Sequence, residues 1–391
     1  MKVVGGVYRE ECLLPYWQRI FGSGGRATAA LGALSPGLEL HSYASLAVDD
    51  DIRHSIAAFG AQTNLTCTES DICFRYLHPM GIPTIGGVEA QDLPPLVAQD
   101  DTVLRFGLYE GTAQVEGERV VYDPQNWTQA LTFAEGGSRA GTLAVVLNQD
   151  ELELSTRMHG SNAVEELVRQ TGADVVVVKR GPLGALVCQG SDVTPIPAFR
   201  TANVFKIGSG DVFSAHFAFE WGESKRSAVD AALIASRRVA SYVETRDLQS
   251  DDNVSPAAPI YAAEVGSIYL AGPFFTLSQR WLIEEARACL RKMAVGVFSP
   301  VHDVGVGGSP SHIAERDLTG LRECGAVLAL IDGEDPGTMF EIGYARDRAI
   351  PVVALSEAPR AHALTMLQGT GCQIVTDFTS AVYHAVWAAC R

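Results

Sequence analysis

From residue 267 to the C-terminus, short runs that are apolar at every position alternate with amphipathic helical patterns. The runs are "SIYLAG", "GVFSP", "AVLALI", "PVVAL" and "CQIV". Between them lie "TLSQRWLIEEARACLRKM", a segment near "SHIAERDLTGLREC", "TMFEIGYARDRA" and finally "TSAVYHAVWAAC". A strand with no polar face must be covered on both sides, and helices returning over a parallel sheet provide that cover. The alternation therefore predicts an α/β region built as a doubly wound parallel sheet of the flavodoxin-like kind. Thr276 and Gln279 fit a capping box at the first of these helices.

The preceding part of the chain is also α/β but less regular. "GTLAVVLN" and "ADVVVVKRG" read as buried parallel strands, and "GALVCQGSDVTPIP" as a hairpin turning at Gly-Ser. "QTNLTCT" and "ICFRYL" read as pieces of a small sheet covering a site. The helical pattern "SAVDAALIASRRVASYVET" closes this part, and the polar, Pro/Ala-rich "TRDLQSDDNVSPAAPIYAAEVGS" separates it from the strand at 267. The expected division is a first domain over 1–245, a linker over 246–265 and a second domain over 266–391. The 391 residues, 47% hydrophobic and 19% charged, are enough for two cores.

A net charge of −16 with no dense Lys/Arg run argues against a nucleic acid polymer as partner. Nucleotides stay open, because backbone amides at helix N-termini can hold their phosphates. The eight cysteines are scattered without C-x-x-C or zinc spacing, so they read as buried small hydrophobes in a reducing compartment. There is no signal-peptide pattern at the start, and no apolar run approaches the roughly 20 residues of a membrane span. The expectation is a cytoplasmic protein without a membrane partner. His159 and His302 show no partner in sequence and read as fillers, and Trp127, Trp221 and Trp281 read as core.

In an open α/β sheet the ligand lies beyond the carboxyl ends of the strands. The run Ala326–Ile331 ends there and discharges into Asp332, Glu334 and Asp335, with Glu341 beyond them. Gly333, Pro336 and Gly337 let the connection turn tightly. Glu341 is expected near the start of the next helix, where the dipole favours a carboxylate. Such acids also fit a solvated loop followed by ordinary helix-start charges. Asp317, on the preceding helix within "ERDLTGL", and Tyr269, expected at the end of the first strand, would converge on the same edge, which favours a site. Asp332 and Glu334 have no assigned role and are expected to be solvated.

"SIYLAGPFF" and "RDLTGLRECGAVLALIDGEDPGTMFEIGYA", with the strand–helix order, resemble the nucleoside 2-deoxyribosyltransferase family over nearly all of 266–391. The resemblance implies that Glu341 is the nucleophile and that Asp335 holds sugar hydroxyls or the nucleophile. It implies that Asp317 exchanges a proton with the nucleobase and that Tyr269 orients the carboxylate. It places Gly272, Pro273, Phe274 and Gly337 on the substrate side, needs no cofactor, and implies a homo-oligomer. The chemistry is coherent: a carboxylate can trap an oxocarbenium-like sugar as a glycosyl ester while an acid protonates the leaving base.

In the first domain, "KIGSGDVFSAHFAFEWG" is the densest motif. Gly208 and Gly210 permit a tight turn, with a helix expected to start at Asp211 or just after. The same pattern is also an ordinary helix start. With Asn148-x-x-Glu151, the diglycine Gly24-Gly25, "ADVVVVKRGPLGALV" and "VVYDPQ", it resembles the ribokinase or PfkB family, whose fold is a ribokinase-like α/β domain. The resemblance implies Asp211 as general base and Gly208, Ser209 and Gly210 as an anion hole. It implies Asn148 and Glu151 in support of magnesium and phosphate, with ATP and Mg2+ as cofactors and no direct metal ligand. The chain departs from the family at "GGVYREE", at Arg26-Ala27 after the diglycine, and at Phe205, Lys206 and Ile207. These departures leave open whether the domain is an active kinase or a degenerate ligand-binding one.

The expectation is an enzyme acting on nucleosides, nucleotides and their sugars. It would cleave or transfer at the N-glycosidic bond through Glu341, alongside a sugar or nucleoside kinase-like domain. The alternatives are a nucleotide N-glycoside hydrolase with a degenerate kinase domain, or a nucleotide-binding sensor without turnover.

Overall fold

The computed structural model describes residues 1–88, 92–125, 132–249, 258–261, 264–359 and 361–391. Trp127 and half of the expected linker lie outside the described residues. The chain divides into two compact units. One comprises Met1–Thr201 and Phe205–Ala258; the other comprises Ala202–Val204 and Pro259–Arg391.

The first unit is built on a ten-stranded sheet. Its centre runs Val175–Lys179, Arg139–Asn148, Ala113–Asp123, Thr102–Phe106, Lys2–Val4 and Glu39–Ser45, all parallel. The run of four valines shows why these strands lie inside. Val175 and Val177 pack into one core with Phe213, Phe217 and Ala231, while Val176 and Val178 pack into the other with Leu152 and Leu167. Both faces of the strand are therefore covered, as an all-apolar strand requires. The antiparallel hairpin Ala185–Gln189/Asp192–Ile196 extends one edge and turns at Gly190 and Ser191.

"QTNLTCT" does not join the small sheet. The strand Gln62–Thr68 follows the helix Asp49–Ala58 and lies parallel to Glu39–Ser45 on the other edge of the large sheet. A strand reached through a crossover helix adds in parallel, and periodicity alone does not announce that. The small sheet is instead Arg9–Cys12, Trp17–Ile20, Cys73–Tyr76 and Thr84–Gly86.

The second unit has a five-stranded, all-parallel sheet ordered Val297–Phe298, Ile268–Ala271, Ala326–Leu330, Val352–Leu355, Gln373–Val375. The first strand in sequence thus stands second in space. Strand order reverses between Ile268–Ala271 and Ala326–Leu330, which makes their carboxyl ends the switch point where ligands bind in such sheets. Thr276 and Gln279 form the expected capping box on Leu277–Lys292. Trp281 on that helix is not core: it is 45% exposed, because Ile283, Ala286 and Leu290 take the inner face. Trp221 is buried.

None of the eight cysteines is in a disulfide; six are buried, Cys390 is half-buried and Cys67 is exposed. Among the described residues, no helix is long and apolar enough to cross a membrane.

Candidate functional site

Tyr269 is the second residue of its strand and is fully buried. Its ring stacks on Phe298 with centroids 5.4 Å apart, and Phe298 in turn lies where a side chain at Gly320 would collide with it. The Tyr269 ring is therefore backed by Phe298, which is itself packed against the helix at Gly320. Its hydroxyl donates to Glu341 Oε1 at 2.5 Å.

Glu341 does not sit at the helix start. Asp335 caps the helix Pro336–Asp347, accepting from the Thr338 amide at 2.7 Å and the Thr338 hydroxyl at 2.9 Å. That places Glu341 in the second turn, beyond the reach of the helix dipole, which is confined to the first turn. Burial, and to a lesser extent the neighbouring Asp317 and Asp335, pushes its carboxyl up to about 7, while the Tyr269 hydrogen bond pulls it down. The expectation of a carboxylate kept ionised by the dipole is corrected: the charge rests on Tyr269 and is opposed by burial.

Asp317 lies on the helix Pro310–Glu323. Its Oδ1 is buried without a hydrogen-bond partner among the described residues, and burial raises its carboxyl. A buried acceptor without a partner is costly, so this atom is disposed either to carry a proton or to receive a donor from a ligand. Tyr269, Glu341 and Asp317 feel one another electrostatically and so form one cluster.

Asp332 is not merely solvated. It ties the switch-point loop together, accepting from the Ser356 hydroxyl at 2.9 Å and the Glu357 amide at 2.7 Å. Glu334 is exposed, at a positive φ of 51°. Pro273, Gln279, Leu330, Ile331, Asp332 and Leu355 line a small apolar hollow at the strand ends. Gly272 is a packing glycine, since a Cβ there would meet Leu330 at 3.0 Å and Ile283 at 3.1 Å. Phe274 is half-buried, its ring 4.8 Å from that of Phe275, and Gly337 is exposed in the first turn of the Glu341 helix.

In the first unit, the helix starts two residues earlier than expected. It runs Ser209–Ala218 with Gly208 as cap at a φ of 77°, so Asp211 is in its first turn. Asp211 is already engaged. Arg26 Nη1 donates to its Oδ2 at 2.7 Å, and Gln125 Nε2 donates to its Oδ1 at 2.6 Å. Arg26 also pairs with Glu10. Burial raises the Asp211 carboxyl, against the pull of Arg26.

Asn148 and Glu151 form a capping box on the helix Gln149–Thr156: each side chain accepts the other's backbone amide. Lys179, at the end of its strand, donates to Asp123 Oδ2 at 2.6 Å, and the Ser214 hydroxyl donates to the same oxygen at 2.6 Å. Burial alone would lower the Lys179 ammonium, but Asp123 and Glu151 outweigh it and the net shift is upward. A Cβ at Gly210 would lie 3.5 Å from Lys179 Nζ, so a cation stands beside the glycine turn. That pairing of cation and amide-rich turn suits a phosphate. It does not make a metal cage: among the described residues, no group of three or more His, Cys, Asp or Glu is arranged to hold a metal ion. Asn148 and Glu151 are occupied with each other.

His159 and His302 do have partners. His159 Nδ1 lies 2.7 Å from Glu153, and His302 bridges Ser299 and Glu284, each at 3.0 Å. Sequence reading missed Glu10, Gln125, Lys179, Asp123 and Phe298, and marked Arg26 only as a departure from the family pattern, not as a partner of Asp211. Asp123 and Lys179 carried a signal, since both end parallel strands at the edge where ligands bind. Arg26 and Asp211 are 185 positions apart, and nothing local links them.

Residues 112–252 match the model of the pfkB family carbohydrate kinases, and residues 268–380 match that of the nucleoside 2-deoxyribosyltransferases. Among solved structures, adenosine kinase from Sinorhizobium meliloti is similar at 13% identity, over 64% of this chain and 95% of that one, with a TM-score of 0.49. Fructokinase from Vibrio cholerae O395 is similar at 12% identity, over 63% and 96%, with a TM-score of 0.49. Phosphofructokinase-2 from Escherichia coli is similar at 13% identity, over 64% and 96%, with a TM-score of 0.47. No curated protein matches the chain.

Proposed function

We propose that this chain, which joins a pfkB-family carbohydrate kinase segment to a nucleoside 2-deoxyribosyltransferase segment, breaks the N-glycosidic bond of nucleosides or nucleotides through a covalent glycosyl ester on Glu341. The observation that carries this reading is the hydrogen bond from the buried Tyr269 to Glu341 at the switch point of the second unit. A hydroxyl donated to one carboxylate oxygen fixes the side chain and leaves the other oxygen to attack.

In the first step a Glu341 oxygen forms a bond to C1′ as the C1′–N bond breaks. The electron pair goes to the base nitrogen, and Asp317 supplies the proton. In the second step an acceptor base or a water attacks C1′, returns its proton to Asp317 and frees the Glu341 carboxylate. Removing Asp317's proton costs less as negative charge leaves Glu341, so the two acids alternate in charge. Asp335 is assigned to the sugar hydroxyls through the oxygen that it does not use on Thr338. Gly272, Pro273, Phe274 and Gly337 are assigned to the substrate side.

The test is incubation with a panel of nucleosides and their 5′-phosphates, with and without a second free base, following base release. Free base alone indicates water as acceptor; a new nucleoside indicates transfer. Binding without either product contradicts the proposal and leaves a ligand-binding role. We further expect a homo-oligomer formed through residues 266–391. Light scattering that gives a monomer at micromolar concentration with full activity contradicts that expectation.

A further inference from the structure

The first unit contains a charged side chain where kinase chemistry at Asp211 would need space. A general base must have the reacting hydroxyl within about 3 Å of its carboxylate. Around Asp211 both carboxylate oxygens are already engaged by protein donors: Arg26 on Oδ2 at 2.7 Å and Gln125 on Oδ1 at 2.6 Å. Arg26 is 1% exposed and also grips Glu10, itself buried. It lies directly on the glycine turn, where a Cβ at Gly208 would be 2.0 Å from Arg26 Nε. Its Nη1 also reaches the Gly22 carbonyl at 3.3 Å. Tyr76, Tyr242 and Glu10 crowd the same ions. Such a buried, doubly paired guanidinium is not a mobile surface group, because displacing it would leave the buried Glu10 and the largely buried Asp211 without their direct ion-pair partner.

We infer that Arg26 is a built-in occupant of the phosphoryl-acceptor position, so that the kinase-like unit does not transfer a phosphoryl group to an external hydroxyl. Asp211 then serves as a structural counter-ion of Arg26 rather than as a base. Lys179, beside Gly210, pairs with Asp123 rather than with Glu10 or Asp211, so the Arg26 ion pairs do not take up its charge. The inference concerns the first unit only and does not depend on the glycosyl chemistry of the second.

The experiment measures phosphoryl transfer and nucleotide hydrolysis by the full chain, with ATP or pyrophosphate as donor and a panel of sugars, polyols and nucleosides as acceptors. Wild type and Asp211→Asn should give the same background rate. The double variant Glu10→Gln/Arg26→Asn removes one charge of each sign and opens the shell. Thermal unfolding checks that it folds. It should hydrolyse or transfer from the donor about tenfold faster than wild type, and adding Asp211→Asn should abolish the gain. Phosphoryl transfer by wild type that depends on Asp211 overturns the inference, whether or not the double variant folds. A folded double variant with no gain also overturns it, because Arg26 would then not be what closes the site.

Discussion

The hydroxyl of Tyr269, on the first strand of the second unit, donates to Glu341 Oε1 across 2.5 Å. The two residues lie 72 positions apart and meet because the strand order reverses beside them. Tyr269→Phe keeps the ring and its stacking on Phe298 but removes the donor. Without it the Glu341 carboxyl should rise further, since the hydrogen bond lowers it. Base release near neutrality should fall by about 10–100-fold, an amount in keeping with a hydrogen bond to a charged group. The alkaline shift of the pH–rate profile separates this from simple loss of structure.

The nucleophile must be ionised to attack. Because Asp317 must be protonated at the same time, kcat/KM should rise with pH as Glu341 ionises around 7 and fall again at higher pH as Asp317 loses its proton. Stability runs the other way. The folded protein holds the Glu341 proton up to about 7 while the unfolded chain releases it near 4.5. Between those values the folded state binds more protons, so this group's contribution to stability falls as pH rises. Glu341→Gln should therefore raise the thermal midpoint at pH 8 by an amount equivalent to about 1–3 kcal/mol, with little change at pH 4. Melting curves at the two pH values check the sign.

Asp335 has two assigned duties that substitution can separate. Asp335→Ala removes the cap of the Glu341 helix and should cost about 1 kcal/mol of stability. Asp335→Asn keeps an acceptor for the Thr338 amide, so its stability should be close to wild type. A large fall in base release by the Asn variant then reports the sugar-side role. Wild-type rates in that variant would reduce Asp335 to a helix cap.

Asp317→Asn removes the proton that the leaving base needs. Base release from an ordinary nucleoside should fall by about 10²–10⁴-fold, the usual contribution of a general acid. A substrate with an activated leaving group that departs unprotonated should lose far less. Equal losses on both substrates would show that Asp317 acts on something other than the base.

Much of this was legible in the chain. Strands such as Val175–Lys179 and Ala326–Leu330 are apolar throughout, and only a sheet covered on both faces accommodates them. The cluster of Tyr269, Asp317, Asp335 and Glu341 was legible through motif and strand order. What escaped depends on distance in sequence or on where an element begins. Gln62–Thr68 went to the large sheet because a crossover helix delivers it there. Pro336 opens the Glu341 helix early, which moved Glu341 out of the first turn and gave its ionisation to Tyr269. The hold of Arg26 on Asp211 exists only after folding brings the diglycine helix against the Asp211 helix. A departure from the family pattern at Arg26 was visible, but its consequence was not.

The most direct test of the central claim is to trap the glycosyl ester. A slowly turned-over 2-fluoro-2-deoxy nucleoside analogue should leave one sugar-mass adduct on wild-type protein. Peptide mass spectrometry should place it on Glu341 within "GTMFEIGYA", and Glu341→Gln should carry none. An adduct on Asp335 or Asp317, or near-normal base release by Glu341→Gln, would contradict the account.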